Sequence, residues 1–304
     1  MSLIVAGAAF LLGVLIVVWS TERLLDGMVG LAALLRAAPF VIAVVFSGLE
    51  AENTAVGLVA AGSGQAEIAL GTVFGGGTFM VCGALGLGAV LFPLRVRLPR
   101  GVLVLFAATP VAGGLALLGW SRAAGVALLV AFAASLVYLM RATEFVGSTE
   151  ETAASWWRPV GLTVLGLAAI TLGAELVDFG ATSLIERFSF PAALMGTVIT
   201  PAAIEAEEVI RQAVPAKAGR HDVAAGNLVG TLLYFVLFNL GLIAVAVPVA
   251  VPRRVIVLDW PFLVAVTWLA TAFLWRGRLT RWQGAILLAL YAGYILLHTP
   301  TVYM

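Results

Sequence analysis

The sequence predicts an all-α integral membrane protein of ten transmembrane helices, built as two inverted five-helix repeats. Three observations predict it. Hydrophobic residues make up 62% of the 304-residue chain and charged residues only 11%, with a mean hydropathy of +1.10. A soluble domain carries roughly 25% charged residues. Apolar runs of about 20 residues, long enough to cross a bilayer, recur along the whole chain. A carboxylate-bearing segment also occurs twice, 155 positions apart, at matching places in two halves of about equal length.

Taken in order, the runs of the first half lie at 3–34, 39–62, 66–92, 101–120 and 123–142. The first is long, or broken around Thr21-Glu22-Arg23. It continues into more helix rather than into a small-residue cleavage site, so no cleavable leader is expected. The connector 143–157, TEFVGSTEETAASWW, is the most polar of the chain and reads as a loop, with Trp156 and Trp157 as an interfacial anchor. The second half has runs at 158–187, 191–214, 221–248, 255–275 and 281–298. Residues 1–142 are thus the first five-helix repeat, 143–157 a cytoplasmic connecting loop and 158–304 the second repeat. An odd number of spans per half reverses the second half relative to the first.

Cytoplasmic loops carry an excess of Lys and Arg. With the N-terminus outside, the inner loops hold Arg36; Arg95, Arg97 and Arg100; Arg141 and Arg158; Arg211, Lys217 and Arg220; and Arg276, Arg278 and Arg281. The outer loops hold Arg122, Arg187, Arg253 and Arg254. Twelve basic residues against four place the N-terminus outside a cell (plasma) membrane. The net charge of +1 says little about partners; the expected partners are the lipid bilayer and inorganic cations, with no nucleic acid. The single cysteine, Cys82, excludes an internal disulfide and a multi-thiolate metal site. The two histidines, His221 and His298, lie too far apart for a His-rich zinc site. Neither HExxH, Gly-x-Ser-x-Gly nor a Cys–His pair occurs, which weighs against an intramembrane enzyme.

The duplicated segment carries the chemistry. Its copies run from Ser47 to Gly76 and from Ala202 to Thr231, and the 155-residue shift superimposes Glu50 on Glu205, Glu52 on Glu207, Glu67 on Asp222, Gly71 on Gly226 and Gly75 on Gly230. Ionisable groups in a membrane helix cost about 2.5–3.5 kcal/mol each and so mark sites or pathways. Residues three apart share a helix face, which aligns Glu50 with Asn53 and Glu205 with Glu208. Glu50 and Glu52 lie ~200° apart on an ideal helix, so not every carboxylate faces one cavity. Pro201 predicts a helix break that frees carbonyl oxygens, and Ser47-Gly48 a looser point at similar depth. Carboxylates, amides and carbonyls together make a hard oxygen site for calcium, magnesium or manganese. Crowded carboxylates also hold protons more readily. The structural alternative is an ordinary ion pair, for which Arg211, three residues after Glu208, is the available partner.

Gly71, Gly75, Gly76, Gly77, Gly226 and Gly230 are expected to let helices pack closely. Asn227, Thr231 and Asn239, with Thr72 and Thr78, are possible neutral oxygen donors. Glu22 and Glu175, followed by Asp26 and Asp178, read as helix-end charges, with Arg23 as a salt-bridge partner.

These residues resemble the calcium/cation antiporter superfamily, which includes sodium/calcium and proton/calcium exchangers. Glu67-Ile-Ala-Leu-Gly71-Thr-Val-Phe-Gly75 and Asp222-Val-Ala-Ala-Gly226-Asn-Leu-Val-Gly230-Thr231 are similar to the segment "PDIALGNVVGS" that opens one helix of each alpha repeat. Gly173-Ala-Glu-Leu-Val-Asp-Phe-Gly-Ala181 and Arg281-Trp-Gln-Gly-Ala-Ile-Leu-Leu-Ala-Leu-Tyr291 resemble the family's sixth and last helices. The resemblance implies a secondary active antiporter that exchanges Ca2+, or another divalent cation, for H+ or Na+ by alternating access. No resident cofactor is expected, since the cations are cargo, and a monomer suffices.

The family motif "GTSLPE" places Glu208 at the ion-binding position of the second repeat, with Glu205 in place of its serine. In the first repeat, Asn53 takes the glutamate's place and Glu50 the serine's. The candidate metal ligands are therefore Glu50, Asn53, Glu205 and Glu208, with Glu52 and Glu207 next. Met80 and Phe235 replace the family's Asn or Asp, and Gly76 and Thr231 its serine, which removes neutral oxygens that sodium sites use. The stretch Val198–Glu208, with Pro201 seven before Glu208, is similar to "IPxxGNAAE" of proton/cation exchangers. That favours proton over sodium coupling. The alternative expectation is a transport-inactive family member acting as a membrane scaffold or sensor.

Overall fold

The structure is a computed structural model, and it describes residues 3–46, 51–143, 156–188, 206–247 and 249–298. The described residues are helical apart from short connections and one isolated bridge. The first half comprises α1 (Leu3–Leu35), α2 (Pro39–Phe46), α3 (Ala51–Gly62), α4 (Ala66–Thr78), a first π-helical segment (Phe79–Ala84), α5 (Leu85–Leu91), α6 (Arg100–Leu118) and α7 (Arg122–Ala142). The second comprises α8 (Trp157–Phe188), α9 (Ala206–Lys217), α10 (His221–Leu233), a second π-helical segment (Tyr234–Asn239), α11 (Leu240–Ala246), a third π-helical segment (Val255–Asp259), α12 (Trp260–Leu274) and α13 (Arg281–His298). Seven helices among the described residues are long and apolar enough to cross a membrane.

The local structure repeats as the sequence does. From α3 through α5, each element has a counterpart of equal length 155 positions later, including the π segment after α4 and the one after α10. A π turn holds one residue more than an α turn needs and shifts the helix face that follows. Its signature here is the i−5 hydrogen bond, from Leu85 N–H to the Met80 carbonyl and from Leu240 N–H to the Phe235 carbonyl.

These two continuous rods, 66–91 and 221–246, form the centre. In each, 78% of the most apolar window is buried, against 22% for α7. Their all-round apolar sequences thus belong to an interior, while α7 exposes apolar side chains as a lipid-facing helix does. Phe74, Phe106, Phe235, Met80 and Leu85 are among the largest fully buried side chains of the core.

The two long helices α1 and α8 pair along their length, antiparallel. Gly13 faces the backbone of Gly173 and Val177, Gly27 faces Thr163, and Gly30 faces Pro159. Removing the side chain at these points lets two backbones approach closely, the main source of helix attraction where lipid and side chain are equally apolar. α1 runs unbroken through Thr21-Glu22-Arg23, because Thr21 donates its hydroxyl to the Val17 carbonyl and the charged pair lies exposed on the surface. Arg23 reaches Asp26 at 4.0 Å, the expected helix-surface ion pair.

Other helices of the two halves also meet, α6 with its counterpart α12, and α5 with α13 as α7 with α11. Trp260 of α12 donates to the Pro110 carbonyl of α6, and Trp268 to that of Ala107, each at 3.0 Å. Gly86 of α5 and Gly284 of α13 face each other's backbones, as do Gly125 of α7 and Gly241 of α11. At one end, the loop after α5 is zipped to the loop after α12: Leu94 and Leu279 exchange backbone hydrogen bonds, and Val96 N–H donates to the Gly277 carbonyl. Gly277 has φ 72, a turn that a side chain would strain. That zipper gathers Arg95, Arg97, Arg100, Arg276, Arg278 and Arg281, all exposed, at a single end of the molecule.

Within the predicted span 39–62, the described residues form α2 and α3, and residues 47–50 lie outside the described residues. The span expected at 191–214 is described only from 206 onward, and its helix continues to Lys217. The break expected at Pro201 also lies outside the described residues.

Candidate cation site

Two short helices from opposite halves carry the duplicated polar residues. α3 packs on the second π segment and α11, while α9 packs on the first π segment and α5. Each half therefore presents its short helix to the other half's central rod. The glycines of the motif make one such contact possible: Gly226 and Gly230 of α10 abut the backbone of Phe40 and Val44 in α2. Packing, the role expected for these two glycines, is what they perform.

α9 begins with Ala206-Glu-Glu208, so both described carboxylates lie in its first turn. Acidic groups are favoured there by the helix dipole. Glu208 is 1% exposed. Its Oε1 lies 2.6 Å from Arg211 Nη2, and its Oε2 accepts a hydrogen bond from Asn227 Nδ2 at 3.3 Å. The same Arg211 Nη2 donates to Glu207 Oε1 at 2.8 Å. One guanidinium nitrogen thus bridges two carboxylates. Helical spacing dictates this, since positions three and four apart share a face and Arg211 follows Glu208 and Glu207 by those steps. Burial makes the pairing compulsory, because an isolated buried carboxylate is far costlier than a paired one.

Other neutral polar groups lie on the short helices and the central rods. Gln212, one turn after Glu208, is 2% exposed, and neither atom of its amide has a hydrogen-bond partner among the described residues. Thr231, one turn after Asn227 on α10, is likewise buried with an unpartnered hydroxyl. In the first half, Asn53 is half-buried on α3, and Thr54 beside it donates its hydroxyl to Asn239 Oδ1 at the end of the second π segment, at 2.5 Å. Thr72 instead donates to the Ala69 carbonyl of its own helix.

Where the resemblance expects neutral oxygens, Met80 and Phe235 are fully buried apolar side chains. Gly76 and Phe235 interlock: a methyl group added to Gly76 would lie 2.9 Å from the Phe235 ring. The ring of one half thus lies over the bare backbone of the other.

Of the candidates the sequence predicts, Glu207 and Glu208 come together, and Asn53 lies on α3, the corresponding short helix of the first half. Glu50 and Glu205 lie outside the described residues, as does the side chain of Glu52. Among the described residues no three His, Cys, Asp or Glu side chains converge. Glu67 and Asp222 lie in the first turns of α4 and α10, Glu67 exposed and Asp222 3.4 Å from Arg220. Two contacts at the site have no signal in the sequence: the Thr54–Asn239 bond and the Gly76–Phe235 interlock. Each joins residues of different halves, so no local pattern marks it.

Such a fold and such a site, two similar sets of helices meeting at buried carboxylates inside an apolar bundle, define a multi-pass membrane protein of the transporter type. The model of the sodium/calcium exchanger protein family matches residues 5–141 and 158–299, and the chain belongs to that family. The chain is 26% identical to the putative antiporter CaxA of Alkalimonas amylolytica over 314 residues, covering 96% of this chain and 98% of that protein. It is 27% identical to the inner membrane protein YrbG of Escherichia coli K12, covering 90% of each. Its fold is similar to that of the sodium/calcium exchanger of Methanococcus jannaschii, with a TM-score of 0.83 at 22% identity over 97% of this chain and 99% of that one. The same exchanger soaked without sodium or calcium gives a TM-score of 0.84.

Proposed function

We propose that the protein is a secondary active antiporter that exchanges a divalent cation, calcium first among them, for protons by alternating access. The observation that carries this reading is Glu208, a carboxylate 1% exposed on a short helix packed against the opposite half. Glu208 makes the ion pair with Arg211 that a structural role would also give, but a carboxylate inside a membrane bundle is costly and supports a cation site, where protons and metal compete for its oxygens. Glu50, Glu52, Asn53, Glu205, Glu207 and Glu208 are the proposed ligands. The apolar Met80 and Phe235 at positions that bear neutral oxygens in the resembled family favour protons over sodium as the counter-ion.

The architecture that goes with this reading has ten spans in two inverted repeats, residues 1–142 and 158–304, joined by a cytoplasmic loop, with the N-terminus outside. The equal-length element series 155 residues apart and the antiparallel α1–α8 pair support it. A monomer in the cell membrane suffices, because each half supplies the other's partner.

The test is calcium flux into proteoliposomes of the purified chain, with wild type compared to Glu208→Gln. Flux under an imposed pH gradient, lost in the variant, is the expected result. A variant that folds and transports as well as wild type rules out Glu208 as a ligand. A wild type that moves neither calcium, manganese nor magnesium under any gradient would leave the scaffold or sensor reading.

A further inference from the structure

Arg211 is the only buried lysine or arginine among the described residues. Its Nη2 lies 2.6 Å from Glu208 Oε1 and 2.8 Å from Glu207 Oε1. Those separations approach calcium–oxygen distances, about 2.3–2.6 Å, so the guanidinium nitrogen stands where a cation bridging the two carboxylates would stand. The surroundings also suit a cation rather than a closed ion pair. The amide of Gln212 and the hydroxyl of Thr231, both buried, have no hydrogen-bond partner among the described residues. A purely structural salt bridge does not require neutral oxygens left unsatisfied on the helix that holds it and on the neighbouring one that hydrogen-bonds Glu208.

We propose that Arg211 is a tethered cation that competes with mobile cations for the carboxylates of Glu207 and Glu208. It neutralises the pair when the site holds no metal, and a divalent ion must displace it to bind. A monovalent ion carries no more charge than the guanidinium, which is already tethered between the two carboxylates, so sodium gains no seat beside Glu208. The divalent cation displaces it by its double charge, with Gln212 and Thr231 offering oxygens to the incoming ion. This deepens, and rests on, the reading of these carboxylates as a cation site.

The test is isothermal titration of the full-length detergent-purified protein with manganese and with calcium, at ionic strength held constant by choline chloride. Wild type is compared with Arg211→Gln and Arg211→Lys. Removing the competitor should tighten divalent binding at least tenfold in Arg211→Gln. Lysine, which keeps the charge on a shorter side chain that reaches less far toward the two carboxylates, should give an affinity between wild type and Arg211→Gln, and it carries the test if the glutamine variant does not fold. A structural role alone lowers the melting temperature without raising affinity. Binding that is unchanged or weaker in both variants overturns the tethered-cation proposal and leaves the antiporter reading standing. Absence of binding in wild type and both variants overturns the cation site itself, and the proposal with it.

Discussion

Glu208 is held from two sides, by Arg211 on its own helix and by Asn227 on the neighbouring one. Hydrogen bonds to a buried carboxylate contribute about 1.5–3 kcal/mol. Asn227→Leu should therefore lower stability by about that amount and weaken divalent binding, seen as a lower denaturation midpoint and a higher Kd. The interlock of Gly76 with Phe235 makes a sharper prediction. Gly76→Ser alone drives a side chain into the ring and should reduce folded yield. Combined with Phe235→Asn the clash disappears and two neutral polar groups take its place. The double variant should recover yield that the serine variant loses, a non-additivity readable in a double-mutant cycle, and equal losses in both would exclude the interlock. The glutamates and Arg211 were legible because charge inside an apolar run announces itself. Thr54–Asn239 and Gly76–Phe235 were not, because each pair spans the two halves and neither residue is unusual in its own helix.

At the scale of elements, helix positions were readable from hydropathy: α13 spans the predicted 281–298, and α7 and α8 begin within one residue of expectation. The π segments were not readable. Whether a helix holds an extra residue in a turn is decided by what packs on it, and Phe79–Ala84 and Tyr234–Asn239 carry no local mark of it. Helix contacts through glycine give the test at this scale. Gly226→Val and Gly230→Val push a branched side chain into the backbone of α2, which cannot rotate away. Each should destabilise the protein by about 1–3 kcal/mol, the usual effect of overpacking, measured by thermal unfolding in detergent. Gly161→Ala, on α8 with no atom within 4 Å of the added carbon, is the control and should leave the midpoint unchanged or slightly raised.

For the whole molecule, the zipped loops at Leu94 and Leu279 collect six exposed arginines at one end. With the N-terminus outside, that end is cytoplasmic. Cys82 is fully buried and replaceable by alanine to give a labelling background. Cysteines at Arg97 and Arg278 should then resist a membrane-impermeant maleimide in intact cells, and one at Arg122 should react; the reverse pattern would invert the topology. Proteoliposomes loaded with a pH-sensitive dye, with the membrane potential clamped, receive external calcium in the absence of sodium. The interior should alkalinise as calcium enters and protons leave, and Glu208→Gln should abolish the signal. Calcium entry with no change in internal pH would contradict proton coupling.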